Sequence, residues 1–143
     1  MRMRVFLDAN ILFSAAKSDG AVRLLLERLL KAGHECCVDG YVTEEARRNL
    51  ATKAPEGLPA LAALLVRMRQ EPVQHADAAL EAALPLPEKD RPVLAAAIRH
   101  GCAALVTGDQ RHFGSLYGKT VEGVAIHSPR SLAHALLKPP SRG

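Results

Sequence analysis

Four carboxylates lie at positions where strands of this sequence should end or helices should begin. Asp8 closes the first apolar run of the chain, and Asp109 closes another much later. Glu45 and Asp90 each stand near the start of a predicted helix. Ligands of a parallel α/β sheet bind beyond the carboxyl ends of its strands, and right-handed crossovers bring those helix starts to the same edge. We therefore expect the four acids to converge on one cleft.

Carboxylates gathered in one cleft repel one another, which raises their pKa values unless a cation lies among them. The candidate ligands are all oxygens, and no pair of His and Cys residues has zinc spacing. This donor set favours Mg²⁺ or Mn²⁺ over Zn²⁺. Such ions activate a water and stabilise the leaving oxygen at a phosphodiester, so the pattern predicts a metal-dependent enzyme.

Three of the four acids, Asp8, Glu45 and Asp90, also have a purely structural interpretation. Asp8 could bond to the backbone of a turn while Asn10 caps the first helix. Asp90 is a good N-cap residue, and the helix dipole favours acids in a first turn, which would account for Glu44 and Glu45. Because these two glutamates point about 100° apart around a helix, only one is expected to face the cleft. The expected inward packing of the residues next to Glu45 favours Glu45 over Glu44 as the glutamate that faces the cleft.

The fourth acid belongs to a loop that is harder to explain by structure alone. Gly108 allows a sharp turn at a strand end, so that the Thr107 hydroxyl and the Asp109 carboxylate both project into the crevice. Arg111 and His112 add a cation and an imidazole to the same loop. His112 could instead merely bond to the backbone.

The composition fits one domain with a polyanionic substrate. The chain has 143 residues, 48% of them apolar, which is enough for a proper core. Its net charge is +4, and drawing four of its 15 acids into a cleft would leave a more basic surface elsewhere. Such a surface suits RNA or DNA, although the charge alone is also that of an ordinary, mildly basic protein.

The sequence lacks the features that would direct it to a membrane. Residues 1–4 run straight into a predicted strand, without the apolar core of a signal peptide. No apolar run approaches the roughly 20 residues that span a bilayer. Cys36, Cys37 and Cys102 are odd in number and have small apolar neighbours, which is typical of buried thiols in a reducing compartment. We expect a soluble, cytoplasmic protein.

Strands and helices are predicted to alternate along the chain. Short apolar or β-branched runs predict strands at residues 4–8, 34–38, 71–74, 103–107 and 124–127. Amphipathic spacing predicts helices at residues 10–17, 21–32, 43–50, 58–69, 76–84, 90–100 and 130–137, with N-caps at Asn10, Thr43, Asp90 and Ser128. This alternation predicts an α/β fold over residues 1–137, a three-layer α/β/α sandwich with a mostly parallel sheet. Residues 138–143 are predicted to be a disordered tail.

Four sequence blocks, taken in order, resemble those of a PIN-domain nuclease. They are Val5–Leu12, Val42–Leu50, Asp90–Ala97 and Leu105–Phe113, and they span nearly the whole chain. The resemblance is strongest to bacterial toxins of toxin–antitoxin pairs, and it implies a metal-dependent endoribonuclease that cleaves RNA with Mg²⁺ or Mn²⁺. The catalytic and metal-binding residues that it implies are Asp8, Glu45, Asp90 and Asp109, with Asn10 and Thr107 in support.

The resemblance has further consequences for substrate and partners. Ala9 stands where many toxin members have Thr or Ser, so a hydroxyl contact there is absent. Arg91, Arg111 and His112 are predicted to bind the substrate, the two arginines through its phosphates. A small antitoxin protein that blocks the cleft is implied as a partner. Formation of a homodimer is a further possibility that the sequence does not decide.

Two other functions compete with the nuclease interpretation. A phosphotransfer enzyme of the haloacid dehalogenase kind also begins with an Asp after its first strand, but it normally needs a second Asp where this chain has Asn10. A non-catalytic, PIN-like module would bind RNA or a protein without cutting. The intact acidic set argues against that module, and only an assay can separate the two.

Overall fold

A central sheet organises the protein, and its strands run almost entirely in one direction. The structure, a computed structural model, describes residues 2–73 and 77–137. Within them the sheet has six strands in the order β3-β2-β1-β4-β6-β5, all parallel except β5, which is antiparallel to β6. The strands are β1 (Arg4–Leu7), β2 (Glu35–Asp39), β3 (Arg69–Glu71), β4 (Ala104–Val106), β5 (Thr120–Val121) and β6 (Val124–His127).

Helices cover both faces of this sheet. In the described residues they are α1 (Ala9–Lys17), α2 (Ala21–Lys31), α3 (Gly40–Lys53), α4 (Leu58–Leu65), α5 (Ala78–Ala83), α6 (Arg91–Arg99), α7 (Gln110–Phe113) and α8 (Pro129–Leu136). Helix α1 contacts α2, α3 and α4, α3 contacts α4, α2 also contacts α8, and α5 contacts α6. The chain steps outward from β1 to β3 and then crosses back to β4, so right-handed connections place α5 and α6 on the opposite face from α1–α4. The predicted α/β sandwich is confirmed.

The two central strands hold the core and set the position of the site. Every residue from Val5 to Leu7 is fully buried, and so are Leu105 and Val106. Strands covered on both faces need continuous apolar runs, which is why these two were easily predicted. The strand order reverses between β1 and β4, and ligands of open α/β sheets bind at the carboxyl ends of strands at such a point.

Helix α3 begins earlier than its sequence predicts, and the predicted Thr43 cap is wrong. Asp39 is the cap: its Oδ1 accepts a hydrogen bond from the backbone N–H of Val42 at 3.1 Å. Strand β2 therefore passes into the helix without an intervening turn. Glu44 and Glu45 lie beyond the first turn, so stabilisation of the helix start does not account for them.

Two further predicted caps are wrong. Helix α1 is capped by Asp8, whose side chain accepts from the N–H of Ala9, and Asn10 lies inside that helix. Asp90 does precede α6, but it has helical φ and ψ and its carboxylate makes no capping hydrogen bond. Ser128 does cap α8, in a reciprocal capping box with Ser131.

The remaining differences lie toward the edge of the sheet. Helix α4 ends at Leu65 because the chain at Arg69 pairs with Cys37 as the start of β3, ahead of the predicted strand at residues 71–74. Strand β5 and helix α7 are additional elements that the sequence pattern did not predict. Gln74, Ala76 and the predicted tail at residues 138–143 lie outside the described residues. None of the helices in the described ranges is both long and apolar enough to cross a bilayer.

Candidate active site

A cleft at the carboxyl edge of the sheet, with a volume of about 330 Å³, contains all four predicted acids. Asp8 follows β1, Asp109 follows β4 and begins α7, Glu45 lies on α3, and Asp90 stands directly before α6. Each acid therefore comes from a different part of the chain. The topology of the sheet brings them together, as the parallel arrangement of the strands predicts.

A buried hydrogen-bond network fixes the Asp8 carboxylate. Its Oδ1 accepts from the N–H of Ala9 at 2.7 Å, and its Oδ2 accepts from the Thr107 hydroxyl at 2.8 Å and from Asn10 Nδ2 at 3.2 Å. Thr107 is fully buried, and its Oγ1 also accepts from the N–H of Asp109 at 3.2 Å. This hydroxyl thus joins the two acids that follow the central strands.

Asn10 ties the same network to the loop after β4. Its Oδ1 accepts from the backbone N–H of Gly108 at 2.7 Å. A Cβ atom at Gly108 would lie 3.3 Å from that oxygen, which is a tight contact that Asn10 would have to relieve by a small shift. The close approach of Asn10 to the backbone explains the glycine, and both predicted supporting residues contact the acids.

A second cluster joins Asp90, Asp109 and His112. The Nδ1 atom of His112 lies 2.9 Å from Asp109 Oδ2 in a hydrogen bond, and 3.0 Å from Asp90 Oδ2. Apart from this contact with His112, Asp90 Oδ2 is buried without a hydrogen-bond partner among the residues that the structure describes. A buried carboxylate oxygen that shares its single neighbouring donor with another acid is costly unless something else also pairs with it.

The electrostatics of the cleft favour a cation. The pKa of Asp8 is raised to about 6, mainly by burial and also by the charges of Glu45 and Asp90, against the hydrogen bonds from Thr107 and Ala9. Burial also raises the pKa of Asp90, with Asp109 adding to the shift and His112 opposing it. Neighbouring carboxylates thus destabilise one another's charged forms.

The two adjacent glutamates of α3 point in different directions. Glu45 is partly buried and lines the cleft. Glu44 is exposed and forms an ion pair with Arg47 on the outer side of the helix, at 2.9 Å. Of the two, only Glu45 is placed to act with the other acids.

The predicted substrate-binding residues have different environments. Arg91 donates from Nε to the carbonyl of Leu86 at 2.8 Å, and it does not line the cleft. Arg111 is exposed on α7, outside the cleft walls. His112 contacts the acids themselves, which also makes it a candidate metal ligand.

Several cleft residues were not predicted from the sequence. Tyr41 lines the wall, and its hydroxyl donates to the carbonyl of Lys89, another lining residue, at 2.9 Å. Asn49 and Lys53 line the cleft from α3. Glu45, Asn49 and Lys53 follow one another at intervals of four residues, which places them on a single face of the helix. That interval was the signal available in the sequence.

The residues present fit a divalent metal ion. One oxygen each of Asp90 and Asp109 and a ring nitrogen of His112 lie within 4.8 Å of one another. Asp8 and Glu45 supply further carboxylates to the same cleft. The buried Asp90 Oδ2 argues most directly for a bound cation, because in the described residues it shares a single His112 nitrogen with Asp109 and such an ion would supply a further partner.

We expect the Asp8 carboxylate to make the stability of the metal-free protein depend on pH. Its pKa rises from 3.8 to about 6 on folding, so the folded protein holds this proton more tightly than the unfolded chain does. The destabilisation from Asp8 is therefore absent below pH 4, grows as the pH rises, and is complete above pH 6. Two pKa units correspond to about 3 kcal/mol in the free energy of unfolding.

Thermal unfolding in excess chelator measures this effect by comparing Asp8→Asn with the wild type. Because other groups titrate equally in both proteins, only the difference between them is informative. We expect the variant to gain stability relative to the wild type between about pH 4 and pH 7, and Glu44→Gln to show no such gain. A difference between Asp8→Asn and wild type that is constant with pH would contradict the expected shift.

Comparison with known proteins agrees with this geometry. Residues 4–111 match a family model described as PIN domain. Among solved structures, the VapBC2 complex from Rickettsia felis bound to promoter DNA aligns with a TM-score of 0.66 at 17% identity, over 88% of this chain and 98% of that one. A toxin–antitoxin complex from Klebsiella pneumoniae aligns with a TM-score of 0.62 at 19% identity, over 85% and 95% of the two chains.

A third similar structure is VapC20 of Mycobacterium tuberculosis, described as a toxin that cleaves the sarcin–ricin loop. It aligns with a TM-score of 0.56 at 16% identity, over 78% of this chain and 93% of that one. A comparison with curated protein sequences gives no match. At these identities the similar solved structures are evidence for the fold alone. The family match is evidence for membership of the family, because it covers most of the chain and contains all four acids. The chain belongs to the PIN domain family.

Proposed function

We propose that the protein is an endoribonuclease that depends on Mg²⁺ or Mn²⁺, held by Asp8, Glu45, Asp90 and Asp109. The observation that carries the proposal is the convergence of these acids on one cleft, where Asp90 Oδ2 is buried with only the shared His112 nitrogen beside it in the described part of the chain. Buried carboxylates gathered in this way need a compensating positive charge. His112 is a further candidate ligand through its ring nitrogen.

The chain's own residues would orient and hold this set. Thr107 and Asn10 fix the direction of the Asp8 carboxylate, and their hydrogen bonds favour its charged form. The same Thr107 hydroxyl holds the backbone at Asp109. When bound, a divalent ion would lower the pKa of a water and stabilise the leaving oxygen of the phosphodiester. Preorganised ligands of this kind support catalysis because they need no rearrangement at the moment of reaction.

A nucleic acid is the substrate that the charge distribution favours, and the likeness to a toxin that cleaves the sarcin–ricin loop makes RNA the one that we propose. The chain is cationic overall although its cleft is acidic, and Lys53 and Lys89 line that cleft. Arg111, exposed at the start of α7 two residues beyond Asp109, is our candidate for an outer phosphate contact. Arg91 instead ties the segment before Asp90 to Leu86, so we assign it a positioning role.

We also propose that the protein is the toxin of a toxin–antitoxin pair that acts in the cytoplasm. The support is its family together with likeness to a toxin–antitoxin complex and to a toxin that cleaves the sarcin–ricin loop. An antitoxin could block the cleft with a single inserted Arg, because a planar guanidinium can pair with two carboxylates and displace a metal ion.

Incubating the purified protein with mixed RNAs, with Mn²⁺ or with excess chelator, tests the catalytic proposal. We expect cleavage with Mn²⁺ and none in chelator, because clustered carboxylates alone offer no strong nucleophile. Sequencing the new RNA ends identifies the preferred site. Asp109→Asn serves as the inactive control for a contaminating nuclease. Full activity in chelator would contradict the proposed dependence on a metal ion. RNA binding without cleavage in Mn²⁺ would favour a non-catalytic binding module.

A further inference from the structure

The cleft does not end at the acids, because its walls continue along two neighbouring helices. Helix α1 contacts α3, and each presents one face to the cleft. On α3, Asn49 and Lys53 follow Glu45 at successive intervals of four residues. On α1, Phe13 follows Asn10 by three residues and also lines the cleft. The cleft thus changes from acidic at the edge of the sheet to aromatic and basic farther along.

Two ammonium groups converge on the ring of Phe13 at the basic end. Lys17 Nζ lies 5.8 Å and Lys53 Nζ 5.9 Å from the ring centroid. The two lysines come from different helices, and both are exposed. Neither forms an ion pair in the ranges that the structure describes, although acidic residues are present in the same cleft. Two cations beside one ring, without a counter-ion in the described residues, attract an anion.

Helix stabilisation accounts for part of this arrangement. Lys17 and Lys53 are each the last residue of their helix, where the dipole favours a cation. Lys31 ends α2 in the same way and makes no contact with an aromatic ring in the described residues. The dipole therefore explains a lysine at each helix end, but it does not explain why two of them meet over a half-buried ring beside the acids.

From this geometry we infer that Phe13, Lys17 and Lys53 form a subsite for a nucleotide that flanks the scissile phosphate of single-stranded RNA. When the exposed ammonium groups turn from the ring to the adjacent phosphate, the ring face that they leave can stack with a base. A base that stacks on Phe13 must be unpaired, so the subsite selects single strands or loops over duplex. This inference rests on the proposed function, because it assigns the acids to the bond that is cut.

Binding by an inactive variant tests the subsite without requiring cleavage. The probe is a short, fluorescently labelled, single-stranded oligoribonucleotide bound to Asp8→Asn, with anisotropy measured over a series of salt concentrations. Lys17→Ala and Lys53→Ala should each reduce the salt slope by about 0.7, the value for one lost phosphate contact on a single strand. Lys31→Ala, which removes a lysine from the same position of another helix, should leave the slope unchanged.

The aromatic part of the subsite has its own variant. Phe13 also packs against the core, so Phe13→Leu is preferred to Phe13→Ala because it keeps most of the apolar volume. Thermal unfolding confirms that the variant is folded. We expect it to bind the single strand about tenfold more weakly with an unchanged salt slope, because stacking is lost while the phosphate contacts stay. A duplex of the same sequence should compete poorly with the single strand for Asp8→Asn.

Failure of the subsite and failure of the nuclease proposal give different results. The first measurement is the KM and kcat of the three lysine variants, each made in the otherwise wild-type, active protein. If Lys17→Ala and Lys53→Ala cleave RNA with the same KM and kcat as Lys31→Ala, the subsite is overturned and the nuclease proposal stands. Equal salt slopes for all three lysine variants would overturn the subsite as well. Absent cleavage by the wild type, together with binding that depends on Phe13, Lys17 and Lys53, would support the subsite and reject the nuclease.

Discussion

Replacing Glu45 with Gln is expected to reduce metal-dependent RNA cleavage by at least about 100-fold, since even residues that only orient metal ligands cost 10–100-fold when they are changed. The amide keeps the shape of the side chain but removes the charge that would hold the cation. Glu45 lines the cleft with the three aspartates, so its loss cannot be replaced by a neighbour on α3. Initial cleavage rates measured over a range of Mn²⁺ concentrations would give both the loss of activity and the loss of metal affinity.

Glu44→Gln is the matched control, one residue away on the same helix. It removes an equal charge from a side chain that is exposed and paired with Arg47. We expect its cleavage rate to stay within about twofold of the wild type, because exposed ion pairs contribute little. A larger loss for Glu44→Gln than for Glu45→Gln would show that the helix faces the cleft with its other side.

The three aspartates should give the same loss of activity on substitution by Asn, but Asp90→Asn has an additional diagnostic value. Its carboxylate makes no capping hydrogen bond, and its Oδ2 contacts only the His112 nitrogen that it shares with Asp109 in the described residues. Because burial and the charge of Asp109 raise its pKa against the opposing effect of His112, its charged form is disfavoured in the fold, so the substitution should abolish cleavage without lowering the melting temperature of the metal-free protein. Retained activity with reduced stability would restore the helix-cap interpretation of Asp90.

Thr107→Val is expected to have the largest effect on stability among substitutions in the site, about 2–3 kcal/mol in the free energy of unfolding, because it leaves buried polar groups unpaired. The substitution keeps the shape of this fully buried side chain but removes its hydroxyl. Asp8 Oδ2 loses a hydrogen bond of 2.8 Å, and the N–H of Asp109 loses an acceptor at 3.2 Å. Denaturant unfolding in excess chelator measures the loss of stability directly.

The same substitution should also change the titration of Asp8. The Thr107 hydroxyl lowers the pKa of that carboxyl, so its removal should raise the pKa further and shift metal binding to higher pH. Thr107→Ser keeps the hydroxyl and is the control: we expect it to retain most of the stability and the wild-type pH profile. If Thr107→Val is as stable as the wild type while Thr107→Ser loses stability, the packing of the methyl group matters and the hydrogen-bond network does not.

The sequence alone determined the parallel α/β fold and the four acids, and each for a local reason. Strands β1 and β4 are buried on both faces, so their apolar runs are continuous and easily recognised. Asp8 and Asp109 follow those runs directly, which places them at the same edge of any parallel sheet. Periodicity along α3 also encoded the side on which Glu45 lies, because the interval between its buried neighbours is fixed by the helix.

Tertiary structure alone decided which cap residues were used and which side chains met. Asp39 and Thr43 are both good N-cap residues, and the choice between them depended on where β2 stops pairing with β3. Asp90 has the residue type of a cap but not the backbone conformation, which leaves its carboxylate to the cleft. Propensity describes what a residue can do locally, whereas these outcomes depend on the register of strands that are distant in sequence.

The composition of the cleft beyond the acids likewise depended on packing between helices. His112 meets Asp90 only because α7 returns toward the start of α6, and Lys53 meets Phe13 only because α3 packs against α1. No spacing within one segment encodes either contact, since the partners belong to different elements. The sequence thus determined which chemistry the protein carries, and the packing of its helices on the sheet decided which side chains surround that chemistry.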